Sequence, residues 1–201
     1  MTNNIIDVVF IRHAEPDYTE PDDYKRDLTS TGKEQANNLV QEFKNMKIAR
    51  IYSSPFLRAI STLRPLSKER GLPIYVIDEL RERKSAGYRV PDNEFVGFAQ
   101  KQWNDYSFKF RGGESLYDTR ERYNKAVNHM LDCATKDDQG KLLAGCHITG
   151  LCAYLSQFGI INTYQEFARV AKEKPWVVTI SYDRVTRRPV SIRKAGSYKV
   201  F

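Results

Sequence analysis

One short stretch near the N-terminus constrains the fold of this chain more than any other. Residues 5–11 are almost all apolar or β-branched, which is typical of a short strand buried inside a parallel sheet. The apolar character stops at Arg12 and His13. Because ligands of open α/β sheets lie just beyond the carboxyl ends of strands, a guanidinium and an imidazole here suit an anionic ligand. Taken alone, the pair is better explained as two polar surface residues, so the interpretation depends on the rest of the chain.

A second histidine repeats this arrangement. Residues 141–146 form another predicted strand, and His147 follows it directly. Two of the three histidines in the chain therefore stand at the ends of apolar strands, whereas His129 lies in a predicted helix without such a context. A single histidine after a strand is more often structural, but the repetition favours a shared site for His13 and His147.

A cation occupies an unfavourable position at the start of a predicted helix. Pro55 suits the first helical turn and Ser54 its N-cap, and the helix is expected to run to about residue 70. Arg58 would then lie in the first turn, where the positive end of the helix dipole disfavours a cation. An exposed arginine would carry a small penalty there, whereas an anion bound between the helix start and the guanidinium would remove the conflict. We favour the bound anion.

The rest of the chain alternates between strand and helix patterns. Short apolar runs predict further strands at residues 49–53, 72–77, 176–182 and 189–193. Apolar residues at helical spacing predict helices at residues 31–46, 94–105, 116–135 and 148–158. Thr31 and Glu34 have the spacing of a capping box at the start of the first helix. A turn is expected at residues 137–140 and a short polar segment at residues 162–169.

A polar loop is expected to lie over the candidate site. Pro16 and Pro21 argue against a helix in residues 16–27. Three charged residues of this loop are expected to be solvated: Asp22, Asp23 and Lys25.

Composition limits the remaining classes of protein. The 201 residues most simply form one domain, and no stretch approaches the roughly 18 apolar residues of a membrane span. The three cysteines are odd in number and lack C-x-x-C spacing, so neither a disulfide framework nor a structural zinc site is expected. The net charge is +7, but the basic residues are scattered and carry no nucleic-acid motif. The first residues lack a secretory signal, so we expect a cytoplasmic protein that binds neither nucleic acid nor membrane.

Six motifs in order along the chain resemble those of the histidine phosphatase superfamily, also called the phosphoglycerate-mutase-like family. They are Arg12-His13, L-T-x-x-G-x-x-Q-A from Leu28, S-S-P-x-x-R-A-x-x-T from Ser53, L-x-E ending at Glu82, G-G-E-S from Gly112, and His147. The resemblance implies an α/β fold of three layers, α/β/α, with a mostly parallel central sheet. It also implies that residues 84–111 are an insertion covering the site, although their aromatic residues equally fit a packed core.

The resemblance assigns roles to individual residues. His13 would be the nucleophile that becomes phosphorylated, and Arg12, Arg58 and His147 would bind the phosphoryl group. Glu82 would donate and accept the proton, with Glu79 as its rival. The other ring nitrogen of His13 must be fixed by a hydrogen bond, for which we expect a backbone carbonyl of the loop.

The chain also departs from the common motif. Ala14 stands where Gly is usual, no Asn follows in the loop, and residues 148–150 replace the usual glycines after His147. One phosphate contact of the typical family member is therefore unassigned. Glu114 is expected to be structural, within reach of the site.

The implied activity is hydrolysis of phosphate monoesters through a phosphohistidine, with no metal and no cofactor. The substrate would be a small phosphorylated molecule or a phosphoprotein. Three alternatives stay open: a mutase-type phosphoryl transferase, a metal site built from His13, His147 and Glu82, and an inactive phosphate-binding protein.

Overall fold

The computed structural model describes residues 4–87, 92–135, 140–194 and 197–200. Within them the elements follow in the order β1 (Ile5–Arg12), α1 (Ser30–Glu42), β2 (Ile48–Ser53), α2 (Leu57–Arg70), β3 (Ile74–Val76), a 3₁₀ helix (Asp78–Leu80), α3 (Asp92–Asn104), α4 (Leu116–Cys133), β4 (Lys141–Cys146), α5 (Ile148–Ser156), α6 (Tyr164–Val170), β5 (Trp176–Asp183), β6 (Pro189–Lys194) and β7 (Ser197–Val200). Most of the predicted turn at residues 137–140 lies outside the described residues.

The strands of the described chain form one sheet of seven, in the order β3-β2-β4-β1-β5-β6-β7. Strands β3, β2, β4 and β1 pair in parallel, and β5, β6 and β7 continue the sheet through antiparallel pairs. The fold class predicted from the sequence, α/β with a mostly parallel central sheet, is confirmed. Because Arg12 pairs with Cys146 in the parallel β1–β4 ladder, the residues that follow the two strands meet at one edge.

Strand β1 is the centre of the core because both of its faces are buried. Val9 and Ile11 pack with Leu39 of α1 and Leu63 of α2 on one side of the sheet. Phe10, on the opposite face, belongs to the cluster formed with α4 and α5. Each fully buried side chain of this size contributes about 1.5–3 kcal/mol relative to exposure. Helices on both faces give the three layers. The predicted buried strand is confirmed for most of residues 5–11, but Ile5 is exposed, and the strand pairs in parallel with β4 and antiparallel with β5.

Two helix starts differ from the prediction. The N-cap of α1 is Thr29, whose side chain accepts the N–H of Gly32, and Thr31 lies inside the helix. A Cβ at Gly32 would overlap the carbonyl oxygen of Glu15, so this entry requires glycine. Helix α2 begins at Leu57, after a turn, and Ser54 does not cap it. Arg58 still lies in its first turn, as expected.

The polar segment predicted at residues 162–169 is wrong, because these residues contain helix α6. A capping box starts it: the Thr163 side chain accepts the N–H of Glu166, and the Glu166 carboxylate accepts the N–H of Thr163. Phe167 and Val170 are buried on its inner face. The T-x-x-E spacing and the two apolar residues were the available signals. Among the described residues, no helix is long and apolar enough to cross a membrane.

Candidate active site

His13 lies directly beyond β1 with its ring almost wholly buried. Its backbone N–H donates to the carbonyl of Cys146 at 3.0 Å, which ties the residue to the end of β4. Its ring Nδ1 lies 2.7 Å from the carbonyl oxygen of Ala14. Because a carbonyl only accepts, Nδ1 carries the proton and Nε2 keeps a free lone pair. Ala14 thus supplies the backbone carbonyl that the sequence predicts.

Burial and charge keep the His13 ring neutral. Desolvation, followed by the nearby Arg58 cation, lowers the pKa of His13 well below its ordinary value. The hydrogen bond to Ala14 acts in the opposite direction but does not reverse the result. At neutral pH the side chain is therefore an unprotonated imidazole whose orientation is fixed, which is the form needed for a nucleophile.

His147 stands at the end of β4, and its ring centroid lies 5.2 Å from that of His13. The hydroxyl of Ser54 lies 2.7 Å from His147 Nε2 and accepts the N–H of Phe56 at 3.2 Å. The Ser54 hydroxyl can donate as well as accept, so we assign its proton to the Nε2 contact, and the imidazole proton is then on Nδ1. Among the described residues this buried Nδ1 has no partner. Burial lowers the pKa of His147 well below its ordinary value, so a neutral ring offers one free N–H donor to a ligand.

Two buried arginines flank the histidines. Arg58 donates from Nη1 to the backbone oxygen of Asp23 at 2.6 Å, and the Asp23 carboxylate lies 3.1 Å from the same nitrogen. Arg12 donates from Nη1 to the carbonyls of Ala171 and Glu173 at 2.8 and 2.6 Å. In the described structure, the buried Nε of Arg12 has no partner. The site thus contains two buried positive side chains: Arg58 pairs with the Asp23 carboxylate, and Arg12 donates to backbone carbonyls.

Asp23 is exposed to solvent, as expected, but its carboxylate also has partners in the protein. Its side chain is 48% exposed, but the carboxylate pairs with Arg58 and also with Arg26, at 2.7 Å. The loop is held down at the same place, because the carbonyl of Tyr24 accepts the N–H of Leu57 and the Tyr24 ring packs 4.3 Å from Phe56. Residues 23 and 24 of the loop therefore contact the start of α2, and the acid Asp23 contacts the candidate phosphate ligand Arg58.

Glu82 reaches the start of α5. Its carboxylate accepts the N–H groups of Thr149 at 3.1 Å and Gly150 at 3.0 Å. The carboxylate of the protein itself thus accepts the first free N–H groups of α5, which in an open helix start would be available to a bound anion. The negative charge of Glu82 also raises the pKa values of Arg12 and Arg58, which burial lowers. Glu82 is therefore part of the same electrostatic cluster as the two arginines.

Glu79, the rival acid, has a different setting. It lines an open surface groove of about 400 Å³ beside Arg81 and Lys125.

Within the described residues no group of three His, Cys, Asp or Glu side chains is placed to hold a metal ion. The geometry thus brings together five of the residues predicted from the sequence: Arg12, His13, Arg58, Glu82 and His147.

The aromatic residues of the insertion form a cluster of their own. Phe98 stacks on Phe110 at 4.5 Å, and the guanidinium of Arg83 lies 4.7 Å from the Phe98 ring. Trp103 instead stacks on Phe167 of α6 and joins the main core. Residues 88–91 of the insertion lie outside the described residues.

The role of Arg122 is not apparent from the sequence. This arginine lies on the buried face of α4 and donates from Nη1 to two backbone carbonyls of the segment that carries Glu82, those of Glu79 and Arg81. The available signal was an arginine at helical spacing among the buried residues Thr119, Tyr123 and Ala126.

The model of the histidine phosphatase superfamily (branch 1) matches residues 8–190. Since this span includes nearly all of the described strands and helices, the chain belongs to the histidine phosphatase superfamily. The family resemblance of the ordered motifs is confirmed.

The match to an individual curated relative covers less of the chain than the match to the family model does. A curated protein of Hydrogenobacter thermophilus, provisionally named phosphoserine phosphatase 2, is 37% identical over 82 residues. That match spans 39% of this chain and only 40% of the length of the relative.

Solved structures match over the whole chain. A mycobacterial glucosyl-3-phosphoglycerate phosphatase superposes with a TM-score of 0.74 at 18% identity and covers 98% of both chains. A phosphoglycerate mutase from Bacillus anthracis gives a TM-score of 0.70 at 18% identity, over 100% of this chain and 93% of the other. At such low identity these likenesses show a shared fold.

Proposed function

We propose that this protein hydrolyses phosphate monoesters through a phosphohistidine formed on His13. The observation that carries the proposal is the state of the His13 ring. It is neutral, fixed through Nδ1 by the Ala14 carbonyl, and leaves Nε2 free beside two buried arginines. Family membership and the phosphatase names among the relatives support the same activity.

Charge neutralisation explains how such a site would act on a dianionic ester. A phosphate monoester resists attack because its oxygens repel a nucleophile, so positive groups around them lower the barrier. Arg12, Arg58 and the free N–H of His147 would hold these oxygens. Substrate would replace the Asp23 carboxylate as the anion beside Arg58.

The reaction would run in two steps. The Nε2 lone pair of His13 forms a bond to phosphorus while the ester P–O bond breaks, and Glu82, which must take up a proton from solvent before this step, gives that proton to the leaving oxygen. Water then attacks the phosphohistidine, Glu82 takes a proton from that water, and the P–N bond breaks to release inorganic phosphate. The site residues named in both steps are parts of this proposal.

The names of the relatives indicate the class of substrate but not the individual substrate. Their names mention phosphoserine and glucosyl-3-phosphoglycerate, so a small phosphorylated substrate is proposed first and a phosphoprotein second. We further propose one domain over residues 1–201, with residues 84–111 covering the site. The cytoplasmic location and the absence of a nucleic-acid partner stay predictions of the sequence.

A mutase-type phosphoryl transfer is the second candidate, because the fold matches a phosphoglycerate mutase almost as well as a phosphatase. The two activities differ in whether the product keeps the phosphate. Quantifying inorganic phosphate against total product from a phosphoglycerate distinguishes them.

The test is release of phosphate from a generic aryl phosphate, with and without a chelator. We expect chelator-resistant release by the wild-type protein and none by His13→Ala. His129→Ala is the matched control, because His129 lies on α4 and contacts Cys133 instead of the site. Full activity of His13→Ala would contradict the proposed mechanism. Phosphate binding without turnover in the wild type would identify an inactive phosphate-binding protein.

A further inference from the structure

Arg122 clamps the backbone of the segment that carries Glu82. Its Nη1 donates to the carbonyl oxygens of Glu79 at 2.7 Å and Arg81 at 2.8 Å, and its Nη2 lies 3.4 Å from the carbonyl oxygen of Glu82. The side chain is buried, and it extends from the middle of helix α4. One rigid side chain therefore contacts three carbonyls within four residues.

Glu114 completes the clamp from the turn before α4. Its carboxylate accepts from Arg122 Nε and Nη2, both at 2.9 Å, in the bidentate geometry that makes arginine–carboxylate pairs strong. It also accepts from Arg81 Nη2 at 2.7 Å and from the backbone N–H of Lys84 at 2.9 Å. Burial raises the pKa of Glu114, but the Arg122 hydrogen bond and charge outweigh it and lower that pKa overall. The Arg122–Glu114 ion pair thus holds residues 79–84: Arg122 binds the carbonyls of residues 79, 81 and 82, and Glu114 binds Arg81 and the N–H of Lys84.

The segment needs this support because it has little regular structure of its own. The 3₁₀ helix ends at Leu80, and residues 81–86 belong to no helix or strand. The Glu82 side chain is fixed by α5 through Thr149 and Gly150, whereas its backbone is fixed by α4 through Arg122. The position of the carboxylate therefore depends on both helices.

We propose that Arg122, paired with Glu114, is the positioning residue for the acid Glu82. The inference rests on the proposed function, since it assigns Arg122 a role in the proton transfer that Glu82 performs. Arg122 touches no reacting atom in this account. It acts by holding the Glu82 backbone where the carboxylate can reach the leaving oxygen, because a displacement of about 1 Å can slow a reaction by roughly 100-fold.

The test compares two kinds of ester. An alkyl phosphate needs a proton on its leaving oxygen, whereas an aryl phosphate with a strongly acidic phenol leaves without one. Arg122→Lys keeps the charge but loses the fork that reaches the three carbonyls. We expect its kcat/KM to fall roughly 10- to 100-fold on the alkyl ester and less than about 3-fold on the aryl ester.

The double variant Glu82→Gln/Arg122→Lys separates positioning from general damage. If Arg122 acts only through Glu82, the double variant is no slower on the alkyl ester than Glu82→Gln alone. Arg120→Lys is the matched control, because this arginine of the same helix packs on Tyr117 and is expected to leave both rates unchanged. Should Arg122→Lys fail to fold by circular dichroism, Glu114→Gln tests the same clamp with the guanidinium intact.

Equal losses on both esters in a folded variant, or additive losses in the double variant, would overturn the inference. A Glu82→Gln variant without leaving-group dependence would overturn it too, since Arg122 would then have no acid to position. The proposed phosphatase activity is judged separately by the loss of turnover in His13→Ala, so the two failures are distinguishable.

Discussion

At the scale of single residues, the account depends on the protonation state of His13. Burial, Arg58, Arg12 and Lys174 all lower its pKa, and the hydrogen bond to the Ala14 carbonyl, which raises the pKa, does not reverse the result. A nucleophile of this kind stays active as the pH falls until the ring takes up a proton. The acid limb of kcat/KM that belongs to His13 should therefore lie below the ordinary pKa of histidine, 6.5.

Removing one of the cations that lower the pKa of His13 should shift the acid limb of kcat/KM to higher pH. Lys174→Met takes away a positive charge, so the pKa of His13 should rise and the acid limb should shift to higher pH, on the order of a few tenths of a unit. Lys172→Met is the control, because Lys172 is exposed and is not among the charges that act on His13. Comparing the pH profiles of the two variants on one aryl ester cancels the ionisation of the substrate. Identical profiles would show that Lys174 does not act on the nucleophile.

The sequence located the charged residues of the site well but not their partners. Arg12, His13 and His147 follow from strands that end in polar residues, which is a local pattern. Ser54 looks like a helix cap because it precedes proline, yet its hydroxyl binds His147, 93 residues away. Arg122 carries no local signal beyond its place on a buried face. Contacts between distant segments decide these details, so single-sequence patterns do not reveal them.

At the scale of elements, the spacing of apolar residues predicted the positions of most helices and strands. The turns between them were harder to predict. The boundaries of β1 and β4 were predicted to within one residue, because both faces of these strands are largely apolar. Helix α6 was missed because its seven residues make fewer than two helical turns, which is too short for a helical period to stand out. The start of α1 was misplaced by two residues because two threonines compete for the cap, and packing of Gly32 against Glu15 selects Thr29.

Two helical glycines should respond in opposite directions to alanine. A Cβ at Gly150 of α5 would overlap the ring and hydroxyl of Tyr123, so Gly150→Ala should lower the free energy of unfolding by about 1–3 kcal/mol. Gly97 of α3 is exposed with no atom within 4 Å of an added Cβ, so Gly97→Ala should raise it by about 0.5–1 kcal/mol. Urea denaturation of both variants measures the difference. A stabilising Gly150→Ala would contradict the close packing of α5 on α4.

At the scale of the whole molecule, the buried histidines link stability to pH. The folded-state pKa values of His13 and His147 both lie well below the ordinary value of 6.5. Below pH 6.5 the unfolded chain therefore binds protons that the folded protein excludes, and stability falls as the pH falls. The contribution is complete above pH 6.5 and is lost progressively toward the folded-state pKa values.

Each histidine should lower the free energy of unfolding by up to about 1.4 kcal/mol per pH unit in this window. Denaturation at several pH values between 7 and 5 measures the slope. His147→Gln should reduce it by about half, since one of the two contributions is removed. A wild-type stability that is flat across this range would mean that the rings are protonated in the folded protein as readily as in the unfolded chain.

The fold brings the histidines and the charged groups of the candidate site together, which connects it to the proposed activity. The parallel β1–β4 pair brings the two histidines to one edge of the sheet, and the loop of residues 16–27 and the first turn of α2 add the charged groups around them. The account therefore predicts that the phosphoryl group is transferred first to the protein and only then to water.

Trapping that intermediate tests this claim most directly. The protein is mixed with an aryl phosphate, quenched in alkali within one turnover, and digested for mass spectrometry. The account predicts one phosphoryl group on the peptide that contains His13, stable in alkali and lost in acid, and none in His13→Ala. Turnover with no phosphorylated peptide, or with phosphate on another residue, would contradict it.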